Sequence, residues 1–319
     1  MAPFHPYFKN PHLATIAGNF WKRPVSEARW PVEPVLYRTE PDVQVLVHAQ
    51  KPSAVARGEV VLIHGLEGSS ESGYARSMAY GALERGYAVH RFNMRGCGGT
   101  EALSLMSYHA GQTSDLLHVV RERRRVSGAP VFVVGYSLGA NVALKLAGEL
   151  GEEAHGLLAG VAAVSAPIDL AACAEALRRP SNIIYQNRFL DRLKDRIRRK
   201  NLLSPDVYTL EHLPKVKSIM DFDDYYTARL FGFGTAANYF ATQSSNQFLE
   251  GIRVPALAVI AKDDPMVPFR VYDHPAFARN PLIQLQPVEH GGHLGFISKV
   301  QPRFWLDETV LDWMEQQRP

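Results

Sequence analysis

The spacing of apolar and polar positions along this chain predicts an alternation of strands and helices. A weakly alternating stretch, Val43-Gln44-Val45-Leu46-Val47, reads as a half-buried strand. Val60-Val61-Leu62-Ile63 is instead a continuous β-branched and aliphatic run stopped by His64-Gly65, the pattern of a parallel strand covered on both faces. Helical spacing follows over residues 74–85, ends before Gly86, and gives way to a predicted strand over 88–92. The rhythm repeats as a helix over 113–125, a strand over 131–134, a helix over 138–150 and a strand over 158–164. After Ala166-Pro167 it breaks, and residues 169–250 show helical and irregular spacing without a buried strand. Strand patterns resume over 256–260 and 283–285, and a helix is predicted over 303–315.

Strands alternating with helices argue for a mainly parallel central sheet flanked by helices. The fold class expected is therefore α/β, with a helical cap inserted before the last strands. Such a cap would cover the carboxyl ends of the strands, where open α/β sheets bind ligands. The expected organisation is a core in two parts, 1–168 and 251–319, with the cap over 169–250. The first 35 or so residues, rich in proline and aromatics, read as an extended N-terminal arm.

Composition changes this picture little. The chain has 319 residues, 46% of them hydrophobic and 21% charged, which suits a globular protein with a sizeable core. A formal net charge of only +3 implies no global attraction to nucleic acid, and none is expected as a partner. No apolar run reaches the roughly 18 residues of a membrane span. Residues 1–10 lack the apolar core of a secretory signal, so a cytoplasmic location is expected. Two cysteines, Cys97 and Cys173, are too few for a disulfide framework and read as small buried residues.

Candidate chemistry begins at Gly135-Tyr136-Ser137-Leu138-Gly139, a G-x-S-x-G turn between a predicted strand and a predicted helix. That turn exposes the serine above the sheet, with glycines where side chains would clash. A serine hydroxyl is a weak nucleophile and needs a histidine base oriented by a carboxylate, in the chain order serine, acid, histidine. Ala261-Lys262-Asp263-Asp264-Pro265-Met266-Val267-Pro268 follows a predicted strand and puts two acids on its loop. The D-x-x-V-P arrangement resembles the one found after this strand in many α/β hydrolases, which implies Asp264 as the acid and Asp263 as a brace of the loop. The base comes from Glu289-His290-Gly291-Gly292-His293-Leu294-Gly295-Phe296. His293 is the choice, because the preceding glycines allow close approach, and His290 is the alternative. Backbone N–H groups of Leu138 and of Leu66, in His64-Gly65-Leu66-Glu67-Gly68, are the expected oxyanion donors, with His64 bracing the loop. No metal or organic cofactor is expected.

With these residues in place, the chain resembles the YheT-like branch of the α/β-hydrolase superfamily. Asn10-Pro11-His12-Leu13-Ala14-Thr15 is similar to that branch's N-P-H-L-Q-T motif, with Ala14 in place of glutamine. His64-Gly65-Leu66-Glu67-Gly68-Ser69 resembles its oxyanion loop, and Asn93-Met94-Arg95-Gly96-Cys97-Gly98-Gly99, Tyr108-His109-Ala110-Gly111 and Asp115 resemble its segment before the nucleophile strand. The resemblance implies that Ser137, Asp264 and His293 are nucleophile, acid and base. It implies ester hydrolysis, ranging from short-chain esterase to acylglycerol lipase and phospholipase. The mammalian members carry an N-terminal membrane anchor; none is expected here, so their membrane location is not carried over. An acyltransferase using the same three residues, and a catalytically silent ligand-binding homologue, are the alternative readings.

Two further patterns bear on what reaches the serine. Arg121-Glu122-Arg123-Arg124-Arg125 reads as the cationic end of a helix, favoured by its dipole. Residues 188–200 carry Arg188, Arg192, Lys194, Arg196, Arg198, Arg199 and Lys200, with Phe189, Leu190, Leu193 and Ile197 at helical spacing. This reads as a solvated cap helix packed through its apolar side, with peripheral contact to anionic lipid, or contact to an acidic substrate, as the functional alternative. Asp221, Asp223 and Asp224 read as helix capping rather than a metal site. Tyr225, Tyr226, Phe231 and Phe233 either line an acyl pocket or form the cap's own core; the sequence leaves both open. The substrate expected is a small-molecule ester or lipid.

Overall fold

The computed structural model describes residues 2–23, 25, 27–128 and 131–317. Its strands form one sheet: β1 (Glu33–Glu40), β2 (Val43–Gln50), β3 (Glu59–Ile63), β4 (Ala88–Phe92), β5 (Val131–Tyr136), β6 (Gly160–Val164), β7 (Ala256–Ala261) and β8 (Ile283–Val288), in the spatial order β1-β2-β4-β3-β5-β6-β7-β8. Only β2 runs against the others, pairing antiparallel with β1 and β4, while the pairs from β4 to β8 are parallel. The helices are α1 (Pro11–Phe20), α2 (Gly73–Glu84), α3 (Ser114–Ser127), α4 (Leu138–Leu150), α5 (Leu170–Leu177), α6 (Ile183–Leu203), α7 (Ile219–Phe222), α8 (Ala228–Leu230), α9 (Ala236–Gln243), α10 (Ala276–Arg279) and α11 (Trp305–Gln316).

Strand side chains alternate between faces, so the continuous apolar runs feed two cores. Val61, Ile63 and Val133 join Val119, Val120, Leu144 and Leu146 of α3 and α4 on one face. Val60, Leu62 and Val134 join Met78 and Leu83 of α2 and Leu311 and Trp313 of α11 on the other. Helix α4 is apolar nearly all round because it is wedged between the sheet and the turn at Ser245–Gly251. Between β6 and β7 the chain makes only helices and turns, from α5 to α9, and this is the cap. It holds a core of its own, including Leu190, Leu193, Ile197, Phe222 and Tyr226.

The first 35 residues are not an extended arm. Asn10 accepts hydrogen bonds from the His12 and Leu13 N–H groups, and Pro11 occupies the first turn, so a capped helix starts where proline richness suggested irregular chain. β1 follows from Glu33. It escapes the periodicity because it is an edge strand whose outward positions are exposed.

Candidate active site

The nucleophile turn is shaped by close backbone packing. A Cβ on Gly135 would overlap the Gly139 carbonyl, and one on Gly139 would lie 2.5 Å from the His64 carbonyl oxygen. Both glycines are therefore required for β5 to turn directly into α4 beside the end of β3. Ser137 sits at the apex with φ 51° and ψ −120°, a conformation that costs a non-glycine residue on the order of 1–3 kcal/mol. Its carbonyl is held by the Ala140 and Asn141 N–H groups, so the helix itself maintains the strain.

The candidate acid and base, Asp264 and His293, come from the loops after β7 and β8. Asp264 is buried, and its Oδ1 accepts the Met266 and Val267 N–H groups at 2.9 and 3.0 Å. Its Oδ2 lies 2.8 Å from His293 Nδ1, and His293 Nε2 lies 2.9 Å from Ser137 Oγ. Fixed by two amides, the carboxylate selects the tautomer with hydrogen on Nδ1 and leaves Nε2 free to accept the serine proton. The neighbouring Asp263 instead accepts the Gly291 and Gly292 N–H groups and pairs with His290 Nδ1 at 3.1 Å. His290 thus braces the histidine loop and does not meet Ser137.

The same loop is held from its other side by α1. The Thr15 hydroxyl donates to the Pro11 carbonyl and accepts the buried His293 N–H at 2.8 Å. Gly18 faces Gly295 so closely that a Cβ on Gly18 would be 2.6 Å from the Gly295 Cα. Thr15 does not stand out in the sequence as a site residue; its signal is the N-P-H-L motif, which caps α1 and turns this face toward the histidine.

The oxyanion loop follows β3. Gly65 approaches the serine closely: a Cβ there would stand 3.1 Å from Ser137 Cβ. The Gly65 N–H donates to the Tyr74 hydroxyl and the Glu67 N–H to the Tyr108 hydroxyl, both at 2.9 Å. The Leu66 N–H between them makes no hydrogen bond among the described residues, and neither does the Leu138 N–H in the first turn of α4. Those are the two groups expected as oxyanion donors, and they lie on the two chain segments that meet at Ser137. His64 is buried, its Nδ1 2.8 Å from the Gly65 carbonyl while its Nε2 accepts the Met94 N–H. Burial pushes its pKa down to about 4, so it is a neutral brace.

Two spaces meet at Ser137. An inner cavity of about 780 Å³, open solvent at its mouth included, is lined mainly by apolar side chains such as Leu170, Leu177, Phe189, Phe222, Phe240 and Met266. An outer groove of about 1450 Å³, measured the same way, runs between α1, the oxyanion loop and α6, past Ile16, Phe20, Arg188 and Arg192. Both include Ser137, His293 and Leu66 in their walls. Tyr225 and Tyr226 do not line the cavity and pack in the cap core. Phe231 and Phe233 stand behind His109 as edge-to-face partners. The cap aromatics in the cavity wall are instead Phe189 of α6, Phe222 of α7 and Tyr239 and Phe240 of α9, joined by Tyr108 from the loop before α3.

The cations of residues 188–200 do not form one solvated stripe. Arg196 and Lys200 are buried, Lys200 donating to the carbonyls of Glu101, Ser104 and Leu105. Arg198 pairs with Asp195 and Arg199 with Glu101, while Arg188 and Arg192 stand at the groove. The acidic trio also diverges: Asp221 accepts the Lys217 N–H, Asp224 the Ala236 N–H, and Asp223 the Thr227 hydroxyl. Among the described residues no group of three or more histidine, cysteine, aspartate or glutamate side chains is arranged to hold a metal. Cys97 is buried, which raises its thiol pKa and keeps it protonated. No helix among the described residues is long and apolar enough to cross a membrane.

A family model described as the alpha/beta hydrolase fold matches residues 59–300. The chain is 34% identical over 314 residues to the Escherichia coli (strain K12) protein named "Putative esterase YheT", covering 96% of this chain and 91% of that one. It is 31% identical to "Phospholipase ABHD3" of Mus musculus over 252 residues, 78% of this chain but only 61% of the mouse protein's length. Among solved structures, the Pyrococcus furiosus esterase Pf2001 superposes with a TM-score of 0.62 at 18% identity, over 92% of this chain and 96% of that one, a likeness of fold. With the matched model spanning most of the sheet and the YheT likeness running nearly end to end, the chain belongs to the YheT-like branch of the α/β-hydrolase family, an esterase and lipase type of hydrolase.

Proposed function

We propose that the protein is a serine esterase that cleaves carboxylic esters through an acyl-enzyme on Ser137. The observation that carries this reading is the chain of hydrogen bonds from Asp264 through His293 to Ser137, opening onto an apolar cavity. His293 Nε2 takes the serine proton as Oγ attacks the ester carbonyl, and the Leu66 and Leu138 N–H groups receive the developing oxyanion. The imidazolium, stabilised by Asp264, returns the proton to the departing alcohol. Water activated by His293 then attacks the acyl-enzyme, releasing the acid and restoring Ser137.

The inner cavity suits the acyl chain, and the outer groove suits the alcohol. Arg188 and Arg192 beside exposed Ile16 and Phe20 offer a cationic and apolar rim, which fits an ester presented from a lipid surface. The names of the mouse phospholipase and of the Saccharomyces cerevisiae "Monoacylglycerol lipase", 28% identical over 82% of this chain, support a lipid ester as substrate. The test is intact mass after a fluorophosphonate probe, together with hydrolysis of p-nitrophenyl esters of increasing chain length. A single adduct that disappears in Ser137→Ala is expected. An unlabelled wild type, or an equal adduct on the variant, would overturn the mechanism.

A further inference from the structure

Glu67 follows the oxyanion donor Leu66 and has the left-handed backbone that normally selects glycine, with φ 53°. A charged residue held there needs other interactions to offset the strain, and the structure supplies them to its N–H, its carbonyl and its carboxylate Oε1. The N–H donates to the Tyr108 hydroxyl, and that hydroxyl donates to the carboxylate Oε1 at 2.8 Å. The carbonyl oxygen accepts from Arg192 Nη1 at 3.2 Å, and Oε1 lies 2.6 Å from Arg196 Nη1. Glu67 and Arg196 side chains are only 6% and 5% exposed, and the guanidinium stacks on the Tyr108 ring, 4.6 Å from its centroid.

Arg192 and Arg196 are one turn apart on α6, so they descend from the same face of the cap helix. Phe189 and Leu193, also on α6, line the inner cavity. One helix therefore both walls the cavity and holds the residue beside the oxyanion donor. Arg196 is buried, against the pattern expected of a surface charge run, while Arg192 stays exposed at the groove and reaches the Glu67 carbonyl from there.

We infer that Glu67 and Arg196 are positioning residues: through their buried ion pair, seated on Tyr108, the cap helix α6 sets the direction of the Leu66 N–H and couples cap placement to oxyanion stabilisation. The inference rests on the serine-esterase reading above. It gives the buried Arg196 of the cap a part in the reaction, although neither member of the pair touches the reacting atoms. A donor displaced by about 1 Å is enough to cost on the order of 100-fold in rate. Complete loss of one oxyanion donor costs about 100- to 1000-fold in kcat.

The test compares Arg196→Met, Arg196→Lys and Tyr108→Phe with the wild type. The readouts are kcat and KM on a short p-nitrophenyl ester, and inhibition by an alkyl trifluoromethyl ketone. That ketone forms a tetrahedral adduct on serine whose oxyanion occupies the same site. Arg196→Met is expected to lower kcat about 10- to 100-fold with KM within about threefold, and to weaken the ketone in proportion. Arg196→Lys, which keeps the charge, recovers part of both. Tyr108→Phe keeps the ring beneath the guanidinium and gives the same signature if Arg196→Met does not fold. Unchanged kcat in a folded variant, or a kcat loss without weaker ketone binding, overturns the inference and leaves the esterase reading intact. A wild type that neither hydrolyses esters nor takes the fluorophosphonate label overturns the esterase reading itself, and the inference with it.

Discussion

Replacing Thr15 by valine tests whether α1 holds the loop of His293. The two side chains have nearly the same shape, but valine has no oxygen to accept the His293 N–H, now bonded at 2.8 Å. His293 is only 8% exposed, so the N–H finds no water in exchange, and an unsatisfied buried donor costs about 1–3 kcal/mol. Space adds to the penalty. A methyl group needs roughly 3.5 Å from the nitrogen, and a Cβ on neighbouring Gly292 would stand only 2.5 Å from Thr15 Oγ1, so the interface has no slack. The loop must give by several tenths of an ångström, and His293 Nε2, now 2.9 Å from Ser137 Oγ, moves with it. Urea denaturation should show Thr15→Val destabilised by about 1–3 kcal/mol. Ester hydrolysis should show kcat/KM lower by about 10- to 100-fold. Thr15→Ser keeps the oxygen and should stay within about threefold of wild type in activity. Full activity in Thr15→Val would show that α1 is only a cover, and the reasoning about the histidine loop would fail.

The other predictions concern the acid, the turn and the cap. Asp264→Asn presents an amide where Asp264 now accepts two backbone N–H groups and the His293 ring, and the resulting wrong tautomer should reduce kcat by about 10⁴-fold in steady-state hydrolysis, with the fold retained by circular dichroism. Gly139→Ala forces a Cβ to 2.5 Å from the His64 carbonyl oxygen and 2.6 Å from that of Ile63. Because backbone cannot swing aside, soluble yield or the melting temperature should fall sharply, while Gly232→Ala or Gly99→Ala, which meet nothing within 4 Å, would show only the strain of positive φ. Asp223 faces the inner cavity with its pKa pushed by burial from 3.8 up to about 7. Below 3.8 the group is protonated in both folded and unfolded chains; its contribution to stability is lost as pH rises through about 7, where the folded state must hold a buried charge. Asp223→Asn should therefore match wild type near pH 4 and exceed it at pH 8 by a few kcal/mol at most. A melting-temperature difference that stays flat across that range would contradict the assigned state of this carboxyl.

The order of chemistry along the chain was legible because strand patterns bracket it. Ser137 was marked by a run of valines ending in Gly135 and by helical spacing from Leu138, and the structure places β5 and α4 on those residues. Asp264 and His293 follow the strand patterns over 256–260 and 283–285, and the structure brings both within hydrogen-bond distance of their partners. Helix α1 and strand β1 were not legible. The spacing of α1 misleads because its buried face, Ala14, Thr15 and Gly18, consists of small residues matched to glycines in a distant loop, while the larger Leu13, Ile16 and Phe20 are exposed.

Local spacing and backbone sterics prescribe the strand and helix rhythm, the strained serine turn and the order in which Ser137, Asp264 and His293 follow their strands. The direction of each cap side chain was decided only by tertiary structure. A run of arginines and lysines between apolar residues looks the same whether it faces water or a buried carboxylate. Arg196 turns inward because Glu67, 129 positions earlier, and the ring of Tyr108 meet it there. The same holds for Thr15, whose partner lies 278 positions away. Contacts at such separations leave no periodic trace in the chain, and they are the ones that fix how the oxyanion loop and the histidine are aimed.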